Sequence, residues 1–171
     1  MTEKQNQLEQ ILNAREQRWN KRQAYAAHWP ALLSMTLCIP QPLRGGSQAG
    51  LWFQQMCRQV LEFLEGCGLH ATVLERDSGP DGPLLMAGFS QSPRRLKEAC
   101  VQAEQTLPGG RLLDLDVTAH GGDAVSRRDL GLPPRQCFLC GRPAVECASR
   151  GLHPREQVLQ HVQAWLDQQL R

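Results

Sequence analysis

Long apolar runs are missing: nowhere in the 171 residues do about eighteen apolar residues follow one another, so no membrane-spanning helix is expected. The opening stretch MTEKQNQLEQ has neither the basic stub nor the apolar core of a secretory signal. A cytoplasmic protein without a membrane partner is the expectation. A strong charge is missing too, since the formal net charge is only +2. Wrapping duplex nucleic acid requires many phosphates to be neutralised, so no nucleic-acid partner is expected. Lysine is scarce: Lys4, Lys21 and Lys97 are the only three, and the other 16 of the 19 basic residues are arginines. Arginine's planar fork suits bidentate phosphate contact, although a genomic bias toward arginine codons gives the same composition. There is no Walker-type phosphate loop, no Rossmann fingerprint, no Ser/His/Asp arrangement and no internal repeat.

What is present suffices for one folded domain. Hydrophobic residues make up 41% of the chain, enough for a real core. We take 1–171 as a single domain, with 127–171 as a Cys/Arg-rich C-terminal subregion. The seven cysteines are an odd number, and without an export signal they are expected as thiols or metal ligands rather than a disulfide framework.

Periodicity orders the elements. Leu8, Ile11, Leu12 and Trp19 recur at helical spacing from Glu3 to about Ala27, predicting an amphipathic helix. Leu32 to Ile39 reads as a strand stopped by Pro40 and Pro42, and Leu51 to Cys67 as a helix ended by Gly66 and Gly68. His70–Glu75 and Leu84–Phe89 flank the turn-forming DSGPDGP and predict a hairpin. Ser92 as cap and Pro93 at the first position start a helix that Pro108, Gly109 and Gly110 end. Arg111–Val117 then reads as a strand, and a closing helix follows from about Pro154. The fold class expected is α+β: a central, mostly antiparallel sheet in βαββαβ-like order with flanking N- and C-terminal helices.

Three constellations carry chemistry. In Gly109-Gly110-Arg111-Leu112-Leu113-Asp114-Leu115-Asp116-Val117, the two aspartates lie two apart on the strand and so share one face. They are candidates to converge on a hard cation such as Mg²⁺; a solvent face carrying two aspartates has the same spacing. Cys137, Cys140, Cys147 and His153 form a Cys-x2-Cys-x6-Cys-x5-His series that zinc would accept, with packed thiols in a small helical lobe as the alternative. The tail is also rich in arginine. Arg127, Arg128 and Arg135 there, with Arg111 in the aspartate motif and Arg44 before Gly45-Gly46, are the candidates for substrate-phosphate contact.

The blocks LEQILNAREQRWNKRQ, LCIPQPLR, GGRLLDLDV, SRRDLGLPPRQCFLC and CASRGLH, in that order, resemble the family of citrate lyase holo-acyl-carrier-protein synthases, also called apo-citrate lyase phosphoribosyl-dephospho-CoA transferases. Two departures are Gln41 in a stretch that usually reads Ile-Pro-Gly-Pro, and fewer basic residues after Cys147. The resemblance implies transfer of the 2′-(5″-triphosphoribosyl)-3′-dephospho-CoA group to a serine of the acyl carrier protein subunit of citrate lyase, with release of pyrophosphate. It makes Asp114 and Asp116 the catalytic, Mg²⁺-holding pair, and Arg135 the first choice for phosphate. Two alternatives stay open: the related malonate decarboxylase carrier-protein transferase, and a zinc-stabilised interaction module without enzymatic activity.

Overall fold

Apolar residues alternate with polar ones along Leu113–Ala119, while Ala31–Leu37 is buried at nearly every position, which is the difference between a strand near the edge of a sheet and one at its centre. The computed structural model describes residues 3–169 and has this arrangement. Helix α1 (Glu3–Ala26) leads into strand β1 (Ala31–Leu37), a short turn of helix α2 (Gln41–Arg44) and helix α3 (Ser47–Gly66). Strands β2 (Thr72–Gly79) and β3 (Gly82–Phe89) form a hairpin, followed by helix α4 (Pro93–Thr106), strand β4 (Leu113–Ala119) and a two-residue strand β5 (Ala124–Val125). Helices α5 (Ala144–Arg150) and α6 (Arg155–Gln169) close the chain. The strands lie in the order β2-β3-β1-β4-β5, each antiparallel to its neighbours. The βαββαβ order read from the sequence is therefore the order of the fold.

The two faces of the sheet differ. Leu33 and Met35 of β1, Leu85 and Phe89 of β3, and Leu115 and Val117 of β4 point to one face, where α3 and α4 cover them with Trp52, Met56, Leu96 and Cys100. Helix α6 joins this core through Val162 and Leu166, and its Trp165 meets Trp52 edge to face, centroids 5.5 Å apart. The other face lies under α1. Of the four apolar residues expected to form that helix's buried stripe, only Ile11 is buried, and Leu8, Leu12 and Trp19 are exposed. Charge holds α1 instead. Arg15 meets Asp81 at 2.9 Å, Lys21 meets Glu75 at 2.9 Å, and Arg18 donates to the Gly82 carbonyl and lies 3.6 Å from Asp81. All three acceptors belong to the β2–β3 hairpin.

That hairpin is tighter than expected. Its strands run into the DSGPDGP segment, Gly79 pairs with Gly82, and only Pro80 and Asp81 remain as the loop. Ser92 stands at the N-cap of α4, but its hydroxyl makes no cap bond; its carbonyl accepts the Leu96 N–H at 3.0 Å. The strand expected from Arg111 begins at Leu113, because Gly110–Leu112 first makes one 3-10 turn.

The glycine pair before that turn is a packing requirement. Gly109 has φ +84°, and a Cβ there would enter the Trp165 ring. A Cβ on Gly110 would lie 2.6 Å from the Ala103 carbonyl oxygen and 2.7 Å from that of Glu104, both fixed backbone atoms of α4. Gly110→Ala is therefore expected to cost about 2–3 kcal/mol, measured by urea unfolding of the full chain. An unchanged midpoint would show that the α4–β4 junction can open without strain.

Candidate functional site

Leu113, Leu115 and Val117 are drawn into the helical core, and by alternation Asp114 and Asp116 project from the opposite face of β4. Directly across on β1 stand Thr36 beside Asp114 and Ser34 beside Asp116. Ser34 is buried, and its hydroxyl finds no hydrogen-bond partner among the described residues. Asp116 is exposed as a residue, yet it forms the floor shared by two adjoining cavities, so protein surrounds much of its carboxyl group. The larger cavity, about 750 Å³, also holds Asp114, Arg127, Arg128 and Arg135. The smaller, about 190 Å³, is walled by Arg15, Arg18, Trp19 and Arg22 of α1. Loss of water raises the Asp116 pKa, the Asp114 charge raises it further, and Lys97, Arg22 and Arg135 pull it back.

Strand β4 has an open outer edge here, since β5 pairs only with Val117 and Thr118. Side chains satisfy its carbonyls. The buried Lys97 donates to the Leu115 carbonyl at 2.7 Å, and Arg135 Nη1 to the Leu113 carbonyl at 3.0 Å. The other nitrogen of Arg135 contacts Glu104 and lies 3.3 Å from Asp114 Oδ1. Glu104, on α4, is 3% exposed at its side chain and also binds Arg127 at 2.5 Å. Burial works against the Arg135 charge, but Glu104 and Asp114 outweigh it and raise its pKa. Arg127 and Arg135 thus form a partition held by one buried carboxylate. Beyond it lies a third cavity of about 620 Å³, which Arg111 also lines. The Arg111 guanidinium sits 4.3 Å over the Phe138 ring and donates to the Gln136 carbonyl.

Of the residues expected from the sequence, Asp114, Asp116, Arg127, Arg128 and Arg135 line one cavity, and Arg111 shares its neighbour with Arg127 and Arg135. Arg44 stands apart from both. Its Nε donates to the Ile39 carbonyl at 2.8 Å and its Nη1 lies 3.5 Å from Asp81, so it braces the hairpin. Cys137, Cys140, Cys147 and His153 also come together, their ligand atoms all within 4.8 Å of one another, and none of them lines the cavity that holds the aspartates. Of the four scattered cysteines outside this series, Cys57 and Cys100 are buried in the core, where burial pushes their thiols up to about 11 and about 12, while Cys38 and Cys67 are only partly buried.

Sequence reasoning missed Lys97, Glu104, Trp19 and Arg22. Lys97 and Glu104 do carry a signal: they are seven residues apart, two helical turns, which puts both on the buried side of α4 with Cys100 and Val101.

The donor set suits a hard divalent cation. Two carboxylates share a face, burial and then the Asp114 charge raise the Asp116 pKa, and an unpartnered hydroxyl stands beside that same carboxylate. The cations around them, Lys97, Arg22, Arg127, Arg128 and Arg135, suit an anionic substrate.

The family described as apo-citrate lyase phosphoribosyl-dephospho-CoA transferase matches residues 6–169. Proteins of that name from Shigella flexneri serotype 5b (strain 8401) and Escherichia coli O1:K1 / APEC are each 32% identical to this chain over 164 residues, covering 94% of it and 88% of the relative. Among the described residues, no helix is long and apolar enough to cross a membrane.

Proposed function

Because the chain belongs to the apo-citrate lyase phosphoribosyl-dephospho-CoA transferase family, we propose that Asp114 and Asp116 hold the Mg²⁺ ion of a phosphoryl transfer to a serine of the acyl carrier protein subunit. The chain is a transferase that carries phosphoribosyl-dephospho-CoA to apo-citrate lyase. The donor proposed is 2′-(5″-triphosphoribosyl)-3′-dephospho-CoA. The serine hydroxyl gives up its proton to solvent as its oxygen attacks the phosphorus nearest the ribose, the bond to the next bridging oxygen breaks, and pyrophosphate leaves with that bond's electron pair. One observation carries this reading: the two aspartates lie together on the floor of a cavity whose rim is arginine.

When bound, Mg²⁺ would neutralise phosphate oxygens and favour in-line displacement. The remaining work falls to side chains. Arg127 and Arg128 face the cavity and bind the phosphates that depart as pyrophosphate. Trp19, with Arg22 stacked 4.9 Å from its ring, walls the α1 side and limits the directions from which the donor enters. Arg135 was the first choice for phosphate contact, but its guanidinium is engaged by Glu104, Asp114 and the Leu113 carbonyl. It acts as a positioning residue that fixes the Asp114 carboxylate.

Arg135→Lys keeps the charge and loses the fork, so it is expected to lower turnover roughly 10–100-fold, the usual cost of losing an outer partner of a metal ligand. The concentration of Mg²⁺ giving half-maximal rate should rise with it. A variant with reduced turnover and an unchanged Mg²⁺ response would refute the positioning role. The function itself is tested by incubating apo acyl carrier protein with this chain, the donor and Mg²⁺, then weighing the carrier. A mass increase equal to the donor less pyrophosphate is expected, and an unmodified carrier overturns the proposal.

A further inference from the structure

We propose that Cys137, Cys140, Cys147 and His153 bind one structural zinc ion that fastens the segment carrying Arg135. The donor atoms are already near tetrahedral spacing. Cys140 Sγ lies 3.5 Å from Cys147 Sγ and 3.4 Å from His153 Nε2, and all four ligand atoms fall within 4.8 Å of one another. Zinc with Zn–S bonds of about 2.3 Å and Zn–N bonds of about 2.0–2.1 Å sets its donors roughly 3.5–3.8 Å apart. A disulfide between Cys140 and Cys147 would need the sulfurs at about 2.05 Å, and it would leave a third thiol and an imidazole converging without purpose. Four protein ligands also close the coordination sphere, which is the form of a structural site rather than a catalytic one.

Local backbone supports the cluster. The turn carrying Cys137 and Cys140 is closed by an isolated bridge between Gln136 and Pro143, and the Cys137 N–H donates to the Arg142 carbonyl at 2.8 Å. Within the turn, the Leu139 N–H points at Cys137 Sγ at 3.5 Å, a donor suited to a thiolate. Cys147 lies on α5. Gly151 then takes the left-handed conformation, φ +59°, ending that helix and bringing His153 back toward it.

Apart from its ion pairs to Glu104 of α4, the lobe has little apolar packing to hold it. Between Thr118 and Val162 the only buried residue is Cys147. Helix α5 has seven residues and leaves Val145 70% exposed. A stretch of more than forty residues that buries one side chain gains almost nothing from a hydrophobic core, and metal ligation is the usual remedy.

The same stretch supplies both arginines that reach back to the sheet strands' end of the site. Arg135 is two residues before Cys137, and its carbonyl accepts the Ala144 N–H at 2.8 Å across the turn. Gln136, between them, receives Arg111. A zinc-closed turn therefore sets where the Arg135 guanidinium can reach. This second half rests on the reading of Asp114 and Asp116 given above; the zinc site does not.

The test begins with the full chain, purified without a metal-binding tag in the presence of reductant. Elemental analysis is expected to find about one zinc per chain. Cobalt(II) exchanged into the protein should give the visible absorption of a tetrahedral thiolate site. Cys140→Ala should lose the metal. Because removing a ligand can also unfold the lobe, His153→Cys is the companion: it keeps four ligands and should retain zinc. Wild-type protein that neither contains zinc nor takes up zinc or cobalt overturns the proposal, as does a Cys140–Cys147 disulfide in anaerobically prepared protein. Asp114→Asn must retain full zinc content whatever its activity, which keeps failure of the magnesium reading distinct from failure of this one.

Discussion

Asp116→Asn and Asp114→Asn proteins are each expected to fold and melt like the wild type while transferring the prosthetic group on the order of a hundredfold or more slowly. Neither carboxylate belongs to the core: Asp114 is half-buried, Asp116 is exposed, and their neighbours on β4 do the packing. Replacing Asp116 also removes a charge that both burial and Asp114 oppose, so its loss relieves strain in the resting protein. A gain or no change in Tm together with a collapse in rate is the signature of a group kept for function. Single-turnover kinetics at saturating Mg²⁺ would measure it, and wild-type rates in both variants would end the case for a metal between them.

Glu104→Gln should do the reverse to stability. Glu104 is nearly sealed from solvent and holds Arg127 and Arg135 together. Glutamine has the same shape but leaves two guanidinium groups facing a neutral amide in a partly dry setting. The expected loss is about 3 kcal/mol, a fall in Tm of roughly 6–12 °C for a chain of this size. Turnover should fall as well, because Arg135 loses the contact that aims it at Asp114. Calorimetry of wild type and variant decides the point: a Tm within a degree of wild type would mean that the arginines find other partners and that the carboxylate is no keystone.

The aspartate pair was legible in the sequence because Leu113, Leu115 and Val117 force the alternation that puts both carboxylates on one face. The βαββαβ order was legible for a similar reason, each element being bounded by its own Pro, Gly or Asp signal. Helix α1 was legible as a helix but not in how it attaches. Its anchoring contacts, such as Arg18 with Asp81, join residues more than sixty positions apart through charge, and no periodicity records them. Lys97 and Glu104 escaped notice because a charged residue in a helix ordinarily faces water. Here an unpaired strand edge and two arginines supply partners inside. For the cysteines, spacing showed a candidate ligand set, but their convergence depends on α5 and the turn at Gly151, both too short to have a period.

The strand edge that Lys97 and Arg135 satisfy bears on how the chain behaves at high concentration. A row of free carbonyls beside Leu113 and Leu115 would accept a strand from another molecule, and stacking of that kind is how ordered aggregates begin. Two cationic side chains lie where the incoming strand would have to bond, so self-association would require stripping charge-assisted hydrogen bonds and crowding like charges together. The contacts that place Arg135 beside Asp114 thus also close this edge to an added strand, and substitutions there are expected to carry a solubility cost separate from their effect on turnover.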